Sequence, residues 1–79
     1  MIDPASSAHT YVQLADLLEA RIRSGEMAGK IRAEKDIADE YGVAYGTVRR
    51  TMALLRERGL VESIQGRGTF VVPQERWPR

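Results

Sequence analysis

Two short clusters in this sequence combine hydrogen-bond donors with residues that leave open space beside them. The first is Tyr45-Gly46-Thr47 with Arg49-Arg50, and the second is Gly66-Arg67-Gly68. Arginine can donate two parallel hydrogen bonds to guanine O6 and N7, while a threonine methyl or a tyrosine ring can meet a thymine methyl. An arginine between two glycines can extend to a phosphate or into a narrow groove. These donors predict contact with double-stranded DNA.

Each cluster also has a simpler explanation. Glycine inside a helix costs about 1 kcal/mol relative to alanine, so Gly46 indicates either close approach of DNA or fraying at a helix start. The Gly-Arg-Gly sequence is also ordinary turn chemistry that leaves Arg67 as a solvated cation. Arg32 and Lys35 can bracket a phosphate with the amides of a helix start, although a lysine there is as often a surface charge.

Apolar periodicity predicts three helices ahead of a β-hairpin. The helices are expected from Thr10 to Ser24-Gly25, from Glu34 to Tyr41, and from Ala44 or Tyr45 to Arg58. The side chains expected to face the core are Tyr11, Leu14, Leu18 and Ile22 in the first helix, Ile37, Ala38 and Tyr41 in the second, and Val48, Met52 and Leu55 in the third.

The connections between these elements specify the fold class. Gly42 is expected to take a positive φ in a tight turn between helices two and three. Residues 60–65 and 69–72 are apolar and β-branched around the second cluster, which is typical of a hairpin. Residues 30–32 could add an edge strand. The prediction is a mainly α winged helix-turn-helix, with three helices and a two- or three-stranded antiparallel sheet.

The expected domain organisation is a loose arm at residues 1–9, the winged helix-turn-helix at 10–72 and a tail at 73–79. A chain of 79 residues has room for one small core. Trp77 is a large ring in a polar tail, and it either folds back on the first helix or packs in a dimer contact.

Composition excludes several function classes. Without cysteine, the chain has no disulfide framework or thiolate metal site, and His9 is its one histidine. We therefore expect no metal and no cofactor. No nucleophile and base are placed to converge, so an enzyme is not expected. No apolar run reaches the length of a signal peptide or a membrane span, which favours a soluble cytoplasmic protein without a membrane partner.

Net charge is unevenly divided along the chain. Residues 1–43 carry five Lys/Arg and eight Asp/Glu, whereas residues 44–79 carry seven Arg and three Glu. The positive half contains both donor clusters. This asymmetry is consistent with a polyanionic partner, although arginine also favours solvated helix faces.

These motifs together resemble the N-terminal DNA-binding domain of the GntR family of bacterial transcription regulators. The resemblance spans about Tyr11 to Val72 and is carried by Ile22-Arg23-Ser24-Gly25-Glu26, Glu34-Lys35-Asp36-Ile37-Ala38, Gly42-Val43, Thr47-Val48-Arg49-Arg50, Leu55, Gly59-Leu60-Val61 and Gln65-Gly66-Arg67-Gly68-Thr69-Phe70-Val71. It implies DNA contacts from two helices, through Lys35, Ala44, Tyr45, Gly46, Thr47 and Arg49. It also implies that Gly66 and Arg67 at the wing tip approach the minor groove.

The sequence departs from the family pattern at two helix starts. Residues 31–34 read Ile-Arg-Ala-Glu where the family has Leu-Pro-Ser-Glu, and residues 44–47 read Ala-Tyr-Gly-Thr in place of Ser-Arg-Thr-Thr. Each change of serine to alanine removes an expected helix N-cap, worth about 0.5–2 kcal/mol. The altered Tyr45-Gly46 pair means that operator sequences cannot be transferred from relatives.

The resulting hypothesis is a sequence-specific DNA-binding transcription regulator, a repressor that occupies promoters. The alternative is a winged helix that docks a protein partner. The protein could form a homodimer. The chain is either a stand-alone regulator or an excised domain, and no small-molecule effector site is recognisable in it. The residues expected to contact DNA are Arg32, Lys35, Ala44, Tyr45, Gly46, Thr47, Arg49, Arg50, Gly66, Arg67 and Gly68.

Overall fold

The computed structural model describes residues 10–78, which form three helices followed by a β-hairpin. The elements are α1 (Thr10–Arg23), α2 (Glu34–Tyr41), α3 (Tyr45–Glu57), β1 (Val61–Ile64) and β2 (Gly68–Val71), then a short 3₁₀ helix at Gln74–Arg76. These bounds confirm the predicted winged helix-turn-helix. The arm predicted at residues 1–9, which includes His9, lies outside the described residues, as does Arg79.

One apolar core fixes the orientation of α3. Helix α3 packs against both α1 and α2. The largest buried aliphatic side chains, each at most 2% exposed, are Leu14, Leu18 and Ile22 of α1, Ile37 of α2, Val48, Met52 and Leu55 of α3, and Leu60 after it. Burying one such side chain contributes about 1.5–3 kcal/mol. Because Val48, Met52 and Leu55 share one face of α3, the opposite face of that helix is exposed to solvent.

The turn between α2 and α3 depends on Gly42. Its backbone has φ 65° and ψ 35°, the left-handed conformation that an L side chain rarely adopts. The amide of Val43 then donates to the carbonyl of Ala38 at 3.1 Å, which closes the end of α2. The predicted positive φ at Gly42 is confirmed, and it sets the angle at which α3 leaves α2.

The wing is a two-stranded antiparallel sheet within the described part of the chain. Val61 pairs with Val71 and Ile64 with Gly68, which leaves a three-residue loop at 65–67. The expected edge strand at 30–32 is reduced to an isolated bridge between Lys30 and Phe70. Two backbone hydrogen bonds of 2.8 Å flank this bridge, from the Ile31 amide to the Thr69 carbonyl and from the Val71 amide to the Gly29 carbonyl. The pairing cannot extend much further along the chain because α2 begins at Glu34.

The segment after the wing folds back on the domain. The Trp77 indole Nε1 donates to the carbonyl of Val72 at 2.6 Å, and the Arg23 guanidinium lies 5.3 Å from the centroid of the ring. Trp77 also packs against the core. Of the two alternatives for Trp77, the structure shows the contact with the end of α1.

Candidate nucleic-acid interface

The first turns of α3 present the predicted reading residues away from the core. Val48 and Met52 are buried and fix the rotation of the helix about its axis. Tyr45 is 51% exposed, and Arg49 is exposed as well. The face therefore offers an uncovered aromatic ring beside a guanidinium, two groups that suit contact with base edges.

Gly46 lies inside this exposed surface. A Cβ atom added at Gly46 would meet no heavy atom within 4 Å, and its φ is not positive. Neither packing nor backbone conformation within the described chain requires a glycine here. The space beside Gly46 opens to the outside of the molecule.

The two consecutive arginines of α3 lie on different edges of the helix. The Arg50 guanidinium stacks 4.4 Å from the centroid of the Tyr11 ring, on the side of α1. Next to it, the buried Thr51 Oγ1 donates to the carbonyl of Tyr11 at 2.9 Å. Arg49 lies a helical step of about 100° from Arg50, and it stacks on no aromatic ring among residues 10–78. Tyr11 thus distinguishes the two residues, which the sequence pattern had treated alike.

Both α2 and α3 begin without a side-chain cap. Ala33 (φ −55°, ψ 144°) and Ala44 (φ −66°, ψ 149°) occupy the N-cap positions, and neither supplies a capping hydrogen bond. Lys35 is exposed in the first turn of α2. Amide groups at a helix start, with the positive end of the helix dipole, attract an anion. The alanines confirm the predicted loss of both N-caps.

The tip of the wing holds Arg67 between two glycines with positive φ. Gly66 has φ 78° and Gly68 has φ 118°. The Arg67 amide donates to the carbonyl of Ile64 at 2.9 Å, so its backbone belongs to the turn while its side chain is exposed. A Cβ atom on Gly68 would also lie 3.1 Å from Cε of Lys30. The turn therefore explains why glycine occupies positions 66 and 68, whose backbones have positive φ. The Arg67 side chain extends into solvent.

The cations among residues 10–78 divide into two groups. Several arginines form ion pairs with carboxylates: Arg21 with Glu26 and Glu40, Arg23 with Glu19, Arg58 with Asp16 and Glu19, and Arg76 with Glu62. Within residues 10–78, no carboxylate lies within 4.0 Å of the cationic groups of Lys30, Lys35, Arg49, Arg50, Arg56 and Arg67. The second group includes the predicted DNA contacts of α2, α3 and the wing.

Arg32 is the one predicted cation that departs from this division among the described residues. It forms an ion pair with Glu40 of α2, and Glu40 also lies 3.5 Å from Arg21. Arg32 nevertheless lines a groove that contains Arg67 and Gly68 of the wing. The structure thus brings Arg32 and the wing tip together along one surface.

Two residues of this groove were not predicted from the sequence. Lys30 and Arg56 line it together with Arg32 and Arg67. Arg56 follows Arg49 by two helical turns, so both lie on the same edge of α3. That spacing is a signal in the sequence that could have identified Arg56. For Lys30 the signal was weaker: the expected edge strand at 30–32 indicated pairing with the wing but not a place in this groove.

The groups with shifted pKa values lie outside the predicted contact residues. A hydrogen bond from Arg23 lowers the pKa of Glu19, burial opposes that effect, and a hydrogen bond from Arg58 adds to it. Arg21 donates a hydrogen bond to the Tyr41 hydroxyl, and this contact raises the pKa of Arg21. Both shifted groups lie on α1, where Glu19 also accepts a hydrogen bond from Arg58 at the end of α3 and Arg21 donates to Tyr41 of α2.

Residues 10–78 contain neither a cluster of metal-binding side chains nor a membrane-spanning helix. No group of three or more His, Cys, Asp or Glu side chains is arranged to hold a metal ion. None of the helices described is both long enough and apolar enough to pass through a membrane.

Residues 10–71 match the family model described as bacterial regulatory proteins, gntR family. The HTH-type transcriptional regulator SmoD of Agrobacterium fabrum is 38% identical over 63 residues, covering 77% of this chain and 27% of SmoD. The HTH-type transcriptional repressor NagR of Bacillus subtilis is 32% identical over 72 residues, covering 89% of this chain and 30% of NagR. The chain thus spans less than a third of the length of these curated relatives.

Solved structures show the same architecture. AraR(DBD) in complex with operator ORX1 matches with a TM-score of 0.72 and 33% identity, over 78% of this chain and 77% of that one. AraR(DBD) in complex with operator ORR3 matches with a TM-score of 0.71 at 33% identity, over the same shares. By its sequence match and its fold, the chain belongs to the gntR family of bacterial regulatory proteins, and residues 10–71 form a winged helix-turn-helix domain of that family.

Proposed function

We propose that this domain binds double-stranded DNA for a transcription regulator, with α3 in the major groove and the wing in the adjacent minor groove. The observation that carries the proposal is the division of the cations. Those on α2, α3 and the wing have no carboxylate partner in the described chain, whereas most arginines elsewhere do. A surface of uncompensated positive charge attracts a polyanion. AraR(DBD), a structural match, was solved with operator DNA.

Helix α3 supplies the base contacts in this proposal. Arg49 is exposed and without an ion pair among the described residues, so its guanidinium can form a bidentate contact with guanine. The half-exposed ring of Tyr45 meets a thymine methyl, and Thr47 lies beside it in the first turn. Gly46 provides the space for the DNA surface to approach the helix backbone.

Phosphate contacts come from the helix starts and the wing. The uncapped amides after Ala33 and Ala44 face the backbone of the DNA, and Lys35 adds a charge in the first turn of α2. Arg50, held by Tyr11, reaches a phosphate at the other edge of α3. Arg67 enters the minor groove, where Gly66 and Gly68 allow close approach.

Repression by promoter occupancy is the regulatory mode that this arrangement supports. A domain that covers both grooves excludes other proteins from the same site, and NagR, a relative, is named a repressor. One such module buries about 600–1,000 Å² of protein surface on DNA. Two copies on a two-fold site would double that area, so the proposed DNA-bound form is a homodimer. The proposed location is the cytoplasm.

Docking of a protein partner has less support. An apolar stripe on the free face of α3 would favour it, but the exposed large apolar side chains in the described chain are Tyr45 and Ile64, on different elements. The remaining face of α3 carries arginines.

Selection of binding sites from random duplexes, followed by titration at several salt concentrations, tests the proposal. Each neutralised phosphate contributes about −0.9 to the slope of log K against log salt. We expect saturable binding to selected duplexes with a slope of several such units. Absence of binding, or binding without dependence on salt, would reject a role in DNA recognition.

A further inference from the structure

The groove between the start of α2, the outer edge of α3 and the wing contains cations from three parts of the chain. Its volume is about 610 Å³, and its basic lining residues are Lys30, Arg32, Arg56 and Arg67, with Glu34 as the acid. Lys30 extends across Gly68 at the edge of the wing. Arg56 projects from α3, where its Nε donates to Ser63 Oγ of β1 at 2.8 Å.

Arg56 and Lys30 are held in place without their charges being neutralised. Ser63 is an uncharged acceptor, so it positions the Arg56 guanidinium and leaves its positive charge and its remaining N–H donors available. The Lys30 backbone is held by its bridge to Phe70, and its side chain extends over Gly68 of the wing. Neither cation has a carboxylate within 4.0 Å among residues 10–78. Two uncompensated cations on opposite walls, one of them positioned by a hydrogen bond, suit an anionic ligand that lies in the groove.

The position of the groove identifies that ligand. A helix in the major groove and a wing in the adjacent minor groove are separated by one sugar–phosphate strand of the duplex. That strand has to cross the protein surface between α3 and the wing. The groove formed by Lys30, Arg56 and Arg67 occupies this place.

We propose that this groove is a clamp for the DNA strand between the two grooves, and that Lys30 and Arg56 contact its phosphates. The inference rests on the proposed function and adds two residues that the sequence pattern did not identify. Arg56 presents a planar fork that can bind two phosphate oxygens, and Lys30 acts as a point charge from the opposite wall. Phosphates carry no direct sequence information, so the clamp sets register and affinity without base preference.

The test uses the 79-residue chain and a selected duplex, with Lys30→Gln, Arg56→Gln and Arg76→Gln as variants. Arg76 is an exposed arginine paired with Glu62 away from the groove, so its variant controls for net charge. We expect Lys30→Gln and Arg56→Gln each to lower the salt slope by about one unit on every sequence tested. Arg76→Gln should retain the wild-type slope.

Duplexes with one neutral methylphosphonate locate the contact. When the neutral linkage replaces the phosphate between the two grooves, Arg56→Gln should bind as well as wild type, because the partner charge is already absent. Ser63→Ala keeps every charge and should retain the slope while lowering affinity by a smaller factor than Arg56→Gln. Thermal unfolding of each variant establishes that the fold is intact.

Three outcomes would overturn the inference. If the salt slopes of Lys30→Gln and Arg56→Gln equalled that of Arg76→Gln, Lys30 and Arg56 would not contact phosphates. The proposal that the domain binds DNA would be unaffected. If the variants lost affinity only for duplexes that differ at one base pair, Lys30 and Arg56 would contact bases and not phosphates. Failure of the wild-type chain to bind any selected duplex would reject the proposed function and the clamp together.

Discussion

Arg49 in α3 and Arg58 at the C-cap of that helix show how differently the two sides of this domain use the same residue type. Arg58, at the C-terminal cap of α3, lies 2.9 Å from Asp16 Oδ1 and 2.8 Å from Glu19 Oε1, so it joins α3 to α1. Arg49 has no carboxylate within 4.0 Å in the described chain. Ion pairing, more than charge content, therefore separates cations that serve the fold from cations left for a ligand.

Substitutions at these two positions should separate DNA binding from stability, and Arg49 should show the strongest change. Arg49→Ala should cost about 1–3 kcal/mol of DNA binding and relax preference at one base pair, if Arg49 makes a bidentate contact. Its effect on the free energy of unfolding should be small, because no ion pair is lost. Affinity on a panel of single base-pair changes, with chemical denaturation, measures both quantities.

Arg58→Ala is the matched variant on the other side. It should destabilise the domain by up to about 1 kcal/mol, since two partly exposed ion pairs are lost, and leave base preference unchanged. If Arg49→Ala weakened every duplex equally, or if Arg58→Ala altered base preference, the comparison between the two sides would be wrong.

A somewhat smaller effect is expected from restoring a helix cap on the DNA-facing side. Ala33→Ser should stabilise the domain by about 0.5–2 kcal/mol, because the hydroxyl accepts a hydrogen bond from an amide of the first turn of α2. DNA affinity should not rise, since that amide is then less available to a phosphate. Denaturant midpoints and duplex titrations give the two values.

Ala53→Ser, on an exposed position inside α3, is the control for introducing a serine. It offers no cap and should give no gain in stability. If Ala33→Ser were more stable and also bound DNA more tightly, the amides of the first turn of α2 would not be phosphate contacts.

Arg67→Ala tests the wing tip and should have a uniform effect. If Arg67 contacts phosphate, its loss should weaken binding to many sequences by similar factors and lower the salt slope by about one unit. Stability should be unchanged, because the side chain is exposed and only its backbone amide bonds to Ile64. An unchanged affinity would mean that the wing only supports the fold.

The smallest expected effect concerns the ion-paired side in acid. Arg23 and Arg58 lower the pKa of Glu19 in the folded domain. A lowered carboxyl pKa stabilises the fold at pH values above the pKa of the unfolded chain, and this contribution is lost as pH falls through the folded value. Because Glu19 and Arg23 are partly exposed, we expect less than about 1 kcal/mol.

Denaturation of wild type and Glu19→Gln between neutral and acidic pH measures this contribution. The difference in stability should shrink as pH falls. Glu75→Gln, an exposed residue with no ion pair in the described chain, should show no such trend. A difference between wild type and Glu19→Gln that stays constant in acid would contradict the assigned cause.

The sequence predicted those parts of the fold that depend on local chemistry. Helix bounds followed from apolar periodicity, and the left-handed backbone of Gly42 followed from its place in a tight turn. The wing was predicted from Gly66 and Gly68 between apolar strands. Each of these features is determined by residues close together in the chain, so one sequence suffices to predict it.

Features that depend on distant residues were not predicted. The contact of Arg50 with Tyr11 and the hydrogen bond from Thr51 to the Tyr11 carbonyl join α3 to the start of α1. An edge strand at 30–32 was expected, but the single bridge to Phe70 that places Lys30 in the groove was not. The roles of the predicted contact residues remain proposals, because they concern a ligand rather than the packing of the chain.

The open space beside Gly46 should make this position tolerant of substitution. Since a Cβ atom there meets nothing within 4 Å and the backbone is helical, the fold would accept most side chains at this position. Residues other than proline should even raise helix stability, by up to about 1 kcal/mol for alanine. A library randomised at Gly46 alone would therefore consist largely of folded proteins. The domain could be evolved toward new operators one contact at a time, without a compensating mutation in its core.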